Sequence, residues 1–482
     1  MNIAQLEPKA IWKNFSLINA IPRASKKEDK IVQFMLDFGN KLGLESQIDS
    51  VGNVLIRKPA TPGMEDRKTV VLQSHLDMVH QKNNSTEFDF EKQGIDMYID
   101  GDWVKAKGTT LGADNGLGVA AIMGVLESEE IIHPAIEALF TIDEETGMTG
   151  AKGLKGGFLK GEILLNLDTE EDDEIDIGCA GGIDVTATKI IKKVKVNPES
   201  ITFELTLSGL QGGHSGMDIH KGLGNANKLM NDVLLSVESL IQLSTLKGGS
   251  LRNAIPRESV AVFTCNRNEE ETVISIVERS ITQIKTQYKT IDPQFNYTLK
   301  KVNPVEDVLS KNDQNQLFLS IKEAHNGVFK MSNFMDDLVE ASNNIAKITV
   351  DNKMITVECL TRSSVEGSKM EVANGLKTTF ENRGFQVKFS GDYPGWSPDP
   401  NSAILSVLKK LYEETFQKKP KVVACHAGLE CGILGSHYPD LDMISFGPTI
   451  RGAHSPDEKA SISSSQKFWK YLLSILKNTP KR

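Results

Sequence analysis

This 482-residue chain is predicted to be an α/β protein. One domain is expected to hold a mostly parallel central sheet flanked by helices, and an α+β domain, read as two similar halves, is expected as an insert within it. Three observations predict this. Up to Gly182, apolar runs such as TVVL (Thr69–Leu72) and ILLNL (Ile163–Leu167) alternate with helical patterns, the order that a parallel sheet with crossover helices requires. From Ser200 to Lys300 the order becomes strand, helix, strand, helix, strand, as in an α+β unit. After DYPGWSPDPN at Asp392–Asn401, the clearest linker in the chain, the first alternation resumes. The boundaries are therefore drawn at 1–183 and 395–482 for the two parts of the first domain, and at 184–394 for the insert.

Length argues for two or three domains, because a single compact core does not extend over 482 residues. With 39% hydrophobic and 25% charged residues, the composition is that of a soluble globular protein. A net charge of −9 offers no footprint for nucleic acid or an anionic membrane, so neither is expected as a partner. No run approaches the length of apolar sequence that spans a bilayer. The opening MNIAQLEPKAIWKNF lacks a basic region followed by an apolar stretch, so no secretory signal is expected. Cys179, Cys265, Cys359, Cys425 and Cys431 are odd in number and scattered, which is no disulfide framework. A reducing cytoplasm is the expected compartment.

In chain order, Glu7–Ile21 has apolar residues at helical spacing and stops at Ile21-Pro22. Ser25 to Glu28 has capping-box spacing ahead of a second helix, with Ile31, Phe34, Met35 and Phe38 on one face. SQIDSVGNVLIRK reads as a hairpin turning at Gly52-Asn53. TVVLQSHLD (Thr69–Asp77) is a strand running out to a histidine, and Asp102–Lys107 is a short strand leading to Gly108 and Asp114. LGVAAIMGVL begins a helix directly after ADNG (Ala113–Gly116), and ALFTIDEE and ILLNLD are strands that end in acids. In the insert, ITFELTLSGL is a half-buried strand, GGHSGMDIHKGLGNANKLM turns into a long amphipathic helix, and RESVAVFTCN is a further strand. NAIPRESVAVFTCNR, a helix and FNYTLK are echoed by NNIAKITVDNKMITVECLTR, a helix and FQVKFS, at an offset of roughly 90 residues. Such echoes also arise from base rates alone.

Residues i and i+2 of an extended chain point to the same side, so His75 and Asp77 face one spot beyond the strand's end. Ligands of open α/β sheets bind at that edge. Asp114, Glu145, Asp168 and, from the loop FGPTIRGAHS, His454 can converge there. Imidazole and carboxylates together suit zinc, with cobalt or manganese as alternatives, and two ions sharing a carboxylate would activate a water. Glu144 stands beside Glu145, so one acid can bind metal while the other moves a proton. Asp77 is better placed to orient His75 than to bind metal.

HLD, ADNG, the paired acids of DEE, NLDTEE, GGHSG and GAHSPDE resemble the dinuclear-zinc aminoacylase/carboxypeptidase metallopeptidase superfamily. LGADNGLGVA, CAGG, GLQGGHSGMDIHKGLGNAN, LRNAIPRE and HAGLECG resemble its aminoacyl-histidine (Xaa-His) dipeptidase branch, from IPRASKKE nearly to the C-terminus. The resemblance implies one metal on His75 and Asp168, another on Glu145 and His454, and Asp114 bridging. It implies Glu144 as general base, Asp77 as support of His75, and a cis Asp114–Asn115 peptide. The insert would be a lid or dimerisation domain whose His214 stabilises an oxyanion. Asn253 and Arg362 are candidates for substrate recognition, and His426 for the pocket wall. Unblocked dipeptides, with a preference for Xaa-His, are the implied substrates, and a homodimer is the expected assembly.

Each of these features also has a plainer reading. Single acids near glycines are usually surface turns, and His214 between glycines could serve a turn alone. GTTLGADNGLG lacks the ending of a phosphate loop. Cys425 beside His426 is read as a buried structural cysteine, because neighbours in a strand face opposite ways. Glu170–Glu174 is read as a solvated acidic loop, and His133, His325 and His437 as ordinary residues. A tripeptidase or an N-acyl-amino-acid deacylase of the same superfamily is the nearest alternative function. A non-catalytic peptide-binding protein is the alternative of another class.

Overall fold

A computed structural model describes residues 2–482. Two compact units are present, Met1–Gly178 with Trp396–Ala424 and Leu429–Arg482, and Cys179–Gly395 with Cys425–Gly428.

The strands used below are Glu45–Ile48 (β1), Val54–Lys58 (β2), Val70–His75 (β3), Ile136–Thr141 (β4), Ile163–Asn166 (β5), Glu174–Cys179 (β6), Gly181–Ile190 (β7), Ser200–Ser208 (β8), Ile241–Gly248 (β9), Ser259–Asn266 (β10), Asn296–Lys301 (β11), Val339–Val350 (β12), Met354–Ser363 (β13), Gln386–Tyr393 (β14), Lys421–Cys425 (β15) and Asp442–Ser445 (β16). The helices are Lys9–Asn19 (α1), Asp29–Lys41 (α2), Ala113–Glu127 (α3), Ala226–Ser236 (α4), Glu270–Gln287 (α5), Lys311–Glu323 (α6), Glu366–Glu381 (α7), Ala403–Phe416 (α8), Glu430–His437 (α9) and Ile462–Lys477 (α10).

The first unit is organised on a mixed sheet of order β1-β2-β4-β3-β5-β16-β6-β15. Its centre, β4, β3, β5 and β16, is parallel, and the pairs β1–β2, β2–β4 and β16–β6 are antiparallel. Every residue of β3 is buried, as in a central parallel strand covered on both faces. Helix α3 is buried almost all round and packs against α1, which contributes Trp12 and Phe15. Gly118 lets α3 approach β3, because a Cβ there would lie 2.5 Å from Ser74 Oγ. The four parallel strands point their carboxyl ends to one edge, and the site is built there.

The second unit carries a sheet of order β11-β8-β10-β9-β12-β13-β7-β14. It divides into two sets of the same pattern. β8-α4-β9-β10-α5-β11 gives the order β11-β8-β10-β9, and β7, α6-β12-β13-α7-β14 gives β14-β7-β13-β12. The sets join edge to edge where β9 meets β12, Leu246 opposite Val350. The echo between RESVAVFTCN and MITVECLTR is thus β10 against β13.

Several local expectations change. Ser25 and Glu28 do not close a capping box: Ser25 Oγ donates to Asp77 Oδ2 (2.8 Å), while Glu28 Oε1 accepts from the N–H groups of Lys26 and Asp143. The helix begins only at Asp29, with Glu28 in the cap position, so Ser25 lies outside its first turn and its hydroxyl is free to serve Asp77. The helix after GGHSG starts only at Ala226, where Asn225 caps it by accepting from Asn227 and Lys228 N–H. DYPGW is more than a linker, since Tyr393 ends β14 and Trp396 is buried. Cys425 is half-buried, with its Sγ 3.6 Å from Met217 Sδ. The acidic loop is not freely solvated: Asp172 pairs with Lys467, Asp173 with Lys421 and Glu171 with Arg451. Burial pushes Glu170 up to about 8.

Candidate active site

Strand β3 ends at His75. β4 is followed by Asp143, whose φ of 52° turns the chain into the paired acids Glu144 and Glu145. β5 leads to Asp168, the first turn of α3 holds Asp114, and a loop residue at φ 63° is His454. The Asp114–Asn115 peptide is cis, as the resemblance implies.

Asp114 stands between two imidazoles. Its Oδ1 lies 3.1 Å from His75 Nε2 and its Oδ2 3.1 Å from His454 Nε2. Asp168 Oδ1 lies 3.6 Å from His75 Nε2, and Glu145 Oε2 2.9 Å from His454 Nε2. Ligand atoms of His75, Asp114 and Glu145 fall within 4.8 Å of one another. The expected five thus form two clusters that share Asp114. Buried oxygens of Glu145 (Oε1) and Asp168 (Oδ1) have no hydrogen-bond partner.

The electrostatics follow from this crowding. Burial raises Glu145 and Asp168, while His454 and His75 hold Asp114 far below the usual range against its own burial. Burial alone would lower His75, but Asp168, with Asp114 and Asp77, outweighs it and raises the imidazole well above its ordinary value. Hydrogen bonds to Asp114 and Glu145 push His454 up to about 11. A divalent ion held among these carboxylates would supply the positive charge that they draw from the imidazoles. Burial, with Asp168, Glu145 and Glu430 adding to it, raises Glu144 well above the carboxylate range against the pull of His75.

Three supports lie under this edge. Asp77 Oδ1 is 3.3 Å from His75 Nδ1 and accepts the N–H of Glu144, while Oδ2 accepts the N–H of Glu145. Glu458 accepts four backbone N–H groups, those of Leu111, Gly112, Ala113 and Asp114. The fully buried Arg23 donates to the carbonyls of Leu76, Asp77 and Gly112, tying the histidine loop to the Asp114 loop. Neither Arg23 nor Glu458 was singled out from sequence. Their only signals are the acid that closes GAHSPDE and the arginine after Ile21-Pro22.

Beneath the ligands runs a second buried polar row. Gln73, two residues before His75, donates to Glu430 Oε2 (2.6 Å) and accepts from Asn166 Nδ2 (2.5 Å), two residues before Asp168. Asn166 Oδ1 accepts from Ser445 Oγ, Ser445 pairs with Thr169, and Thr169 donates to Asp176. One hydrogen-bonded chain therefore crosses β3, β5, β16 and β6 just under the site. Glu430, at the start of α9, is pushed up to about 7 by burial.

The other four expected residues, His214, Asn253, Arg362 and His426, lie in the second unit. His214 Nδ1 accepts the N–H groups of Gly216 and Met217, so its proton sits on Nε2, and burial and Arg362 keep the ring neutral. Asn253 is exposed, and its carbonyl accepts Ser215 N–H. The neighbouring Arg252 is tied down to Asp184, Glu358 and Thr186. His426 is buried with Nε2 on Ser342 Oγ (2.8 Å), and burial and Arg362 push it down to about 3. Arg362 is buried as well.

Known proteins share both sequence and architecture with this chain. The sequence profile of Peptidase family M20/M25/M40 matches residues 71–478. The cytosol non-specific dipeptidase of Escherichia coli (strain K12) is 42% identical over 480 residues, 99% of each chain. The crystal structure of aminoacylhistidine dipeptidase from Vibrio alginolyticus superposes with a TM-score of 0.93 at 44% identity, covering 100% of this chain and 99% of that one. Aminopeptidase PepT from Bacillus cereus, at 15% identity and TM-score 0.58 over 98% of both chains, shares the fold. The resemblance read from the motifs is borne out, and the chain belongs to Peptidase family M20/M25/M40.

Proposed function

We propose that the protein is a dinuclear-metal dipeptidase of the cytoplasm that hydrolyses unblocked dipeptides, Xaa-His among them. The observation that carries this is Asp114, whose two oxygens each lie 3.1 Å from a different imidazole. Each imidazole has a further acid beside it, Asp168 or Glu145. The residues fit a pair of divalent ions: Glu145 Oε1 and Asp168 Oδ1 are buried without a hydrogen-bond partner, and the donor set suits zinc, with cobalt or manganese as alternatives. His75 and Asp168 would hold one ion, Glu145 and His454 the other, with Asp114 shared. When bound, the ions lower the pKa of a water and polarise a carbonyl.

Glu144 takes the proton of the attacking water and returns it to the leaving amine. Burial raises its pKa above the ordinary carboxylate range, which helps it keep the proton it has taken until the amine leaves. His214 presents Nε2–H to the oxyanion, a contribution of about 3 kcal/mol when such a donor is well placed. Arg362 and Asn253 take the terminal carboxylate of the dipeptide, and His426 lines the pocket. The whole-length likeness to a cytosol non-specific dipeptidase supports the substrate class and the compartment.

The test is turnover of a panel of dipeptides, with Xaa-His and N-acetylated members, and of tripeptides, before and after chelation and zinc restoration, alongside Glu144→Gln. Cleavage of free dipeptides that chelation abolishes, zinc restores and Glu144→Gln nearly eliminates is expected. Cleavage of acetylated members alone would make it a deacylase, and of tripeptides alone a tripeptidase. Two bound ions with no turnover of any peptide would leave a peptide-binding protein.

A further inference from the structure

Two motifs, CAGG and DYPGW, are not used by the chemistry above. In the second unit they meet. Strand β7 lies between β13 and β14, and Gly182 is the register partner of both Arg362 and Tyr393. Across that glycine, Arg362 Nη1 donates to Tyr393 Oη at 3.0 Å. A Cβ on Gly182 would lie 2.8 Å from the Tyr393 ring, and one on Gly181 would collide with Tyr393 O and Gly395 N. The glycine pair is what lets the tyrosine reach the arginine. Lys369 Nζ pins the same segment, donating to Asp392 Oδ1 (2.6 Å) and Tyr393 O (2.9 Å).

Arg362 is only 6% exposed, and its Nε has no hydrogen-bond partner. Among the described residues no carboxylate comes within 4.0 Å of it; the nearby Asp184 pairs with Arg252. The rings around it do not offer charge either, since burial and the guanidinium hold His214 and His426 neutral. Burial also raises Tyr393, which stays a neutral phenol. A buried guanidinium with no carboxylate in contact is costly, and a ligand that brings an anion would offset that cost.

We propose that Tyr393 is a positioning residue that fixes Arg362 as the receptor of the substrate's free α-carboxylate, with Gly181 and Gly182 as the space that makes this possible. The inference rests on the dipeptidase reading and names how that enzyme tells a peptide acid from its amide. Tyr393 Oη accepts from one end of the guanidinium, leaving the other donors in a fixed fork for a carboxylate.

The experiment compares a dipeptide with its C-terminal amide on the metal-loaded protein, for wild type, Tyr393→Phe and Arg362→Met. Tyr393→Phe is expected to raise KM for the acid about tenfold while kcat stays within about twofold and the amide is unaffected. Arg362→Met is expected to remove the preference for the acid altogether. Equal effects on acid and amide, or none on either, would overturn the proposal. Failure of the dipeptidase reading is told apart by a thermal-shift titration. Even without turnover, the acid should raise the melting temperature of wild type more than the amide does, and Tyr393→Phe should lose that difference. An equal shift by both ligands in wild type overturns the proposal as well. Circular dichroism of each variant checks that the fold is kept.

Discussion

Asp77 Oδ1 accepts the backbone N–H of Glu144 at 3.0 Å, so the acid behind His75 also fixes the turn that carries the paired glutamates. The same carboxylate accepts from Ser25 Oγ and Glu145 N–H and faces His75 Nδ1, and those donors hold its pKa low despite its burial. It couples one ligand of each cluster, His75 and Glu145, with the proposed base between them in sequence. Asp77→Ala is expected to lower kcat/KM about 10–100-fold or more and to weaken metal binding, because supports of metal-binding histidines have effects of that size. Asp77→Asn should fall between, since its amide NH2 must face donors already pointing at it. Metal content by mass spectrometry and steady-state kinetics check this; full metal loading with unchanged kcat/KM would sink it.

Glu458 acts on the opposite wall. Its carboxylate gathers the N–H groups of Leu111 to Asp114 at 2.7 to 3.3 Å and so sets where the shared ligand stands. Glu458→Gln keeps the shape but turns an NH2 towards two of those N–H groups. Each buried donor left without an acceptor costs about 1–3 kcal/mol. The variant is expected to lose about that much stability in urea unfolding and to bind metal more weakly. Unaltered unfolding and unaltered zinc titration would show that the loop holds its form without the carboxylate.

The legibility of the site divides along a physical line. His75, Asp77, Glu144, Glu145 and Asp168 could be singled out because period-two spacing, strand ends and adjacent acids leave marks in sequence, and Asp114 and His454 because they stand in glycine-rich turns of the motifs ADNG and GAHSPDE. Arg23 and Glu458 act on backbone carbonyls and N–H groups, which carry no residue signature. The polar row from Glu430 to Asp176 joins strands far apart in the chain, so no local pattern contains it. The capping box failed because the helix starts at Asp29 rather than after Ser25, whose hydroxyl donates to Asp77, distant in sequence. In the fold, the central strands were legible from their apolar runs. The mirrored order of the second sheet was not, because register between its halves is set by β9 meeting β12 rather than by either sequence.

Asp176 closes the buried row and carries a prediction that needs no metal. Its partner is the hydroxyl of Thr169 at 2.7 Å, and burial pushes it up to about 7 from an ordinary 3.8. Between those values the folded chain holds a proton that the unfolded chain has released. The unfolded state then binds fewer protons, so this group makes stability fall as pH rises from about 4 to about 7, with no further change above. Asp176→Asn keeps an acceptor for Thr169 and cannot ionise. In the chelated protein, urea midpoints of wild type and variant should differ by an amount that changes with pH. Wild type should lose ground to the variant by a few kcal/mol across that window, because holding a proton against each tenfold fall in its concentration costs about 1.4 kcal/mol. Glu430 and Glu170 titrate in both proteins and cancel in the difference. A wild-type-minus-variant difference that stays flat from about pH 4.5 to about pH 7.5 would mean that Asp176 is ionised in the folded state and that water reaches the row beneath the site.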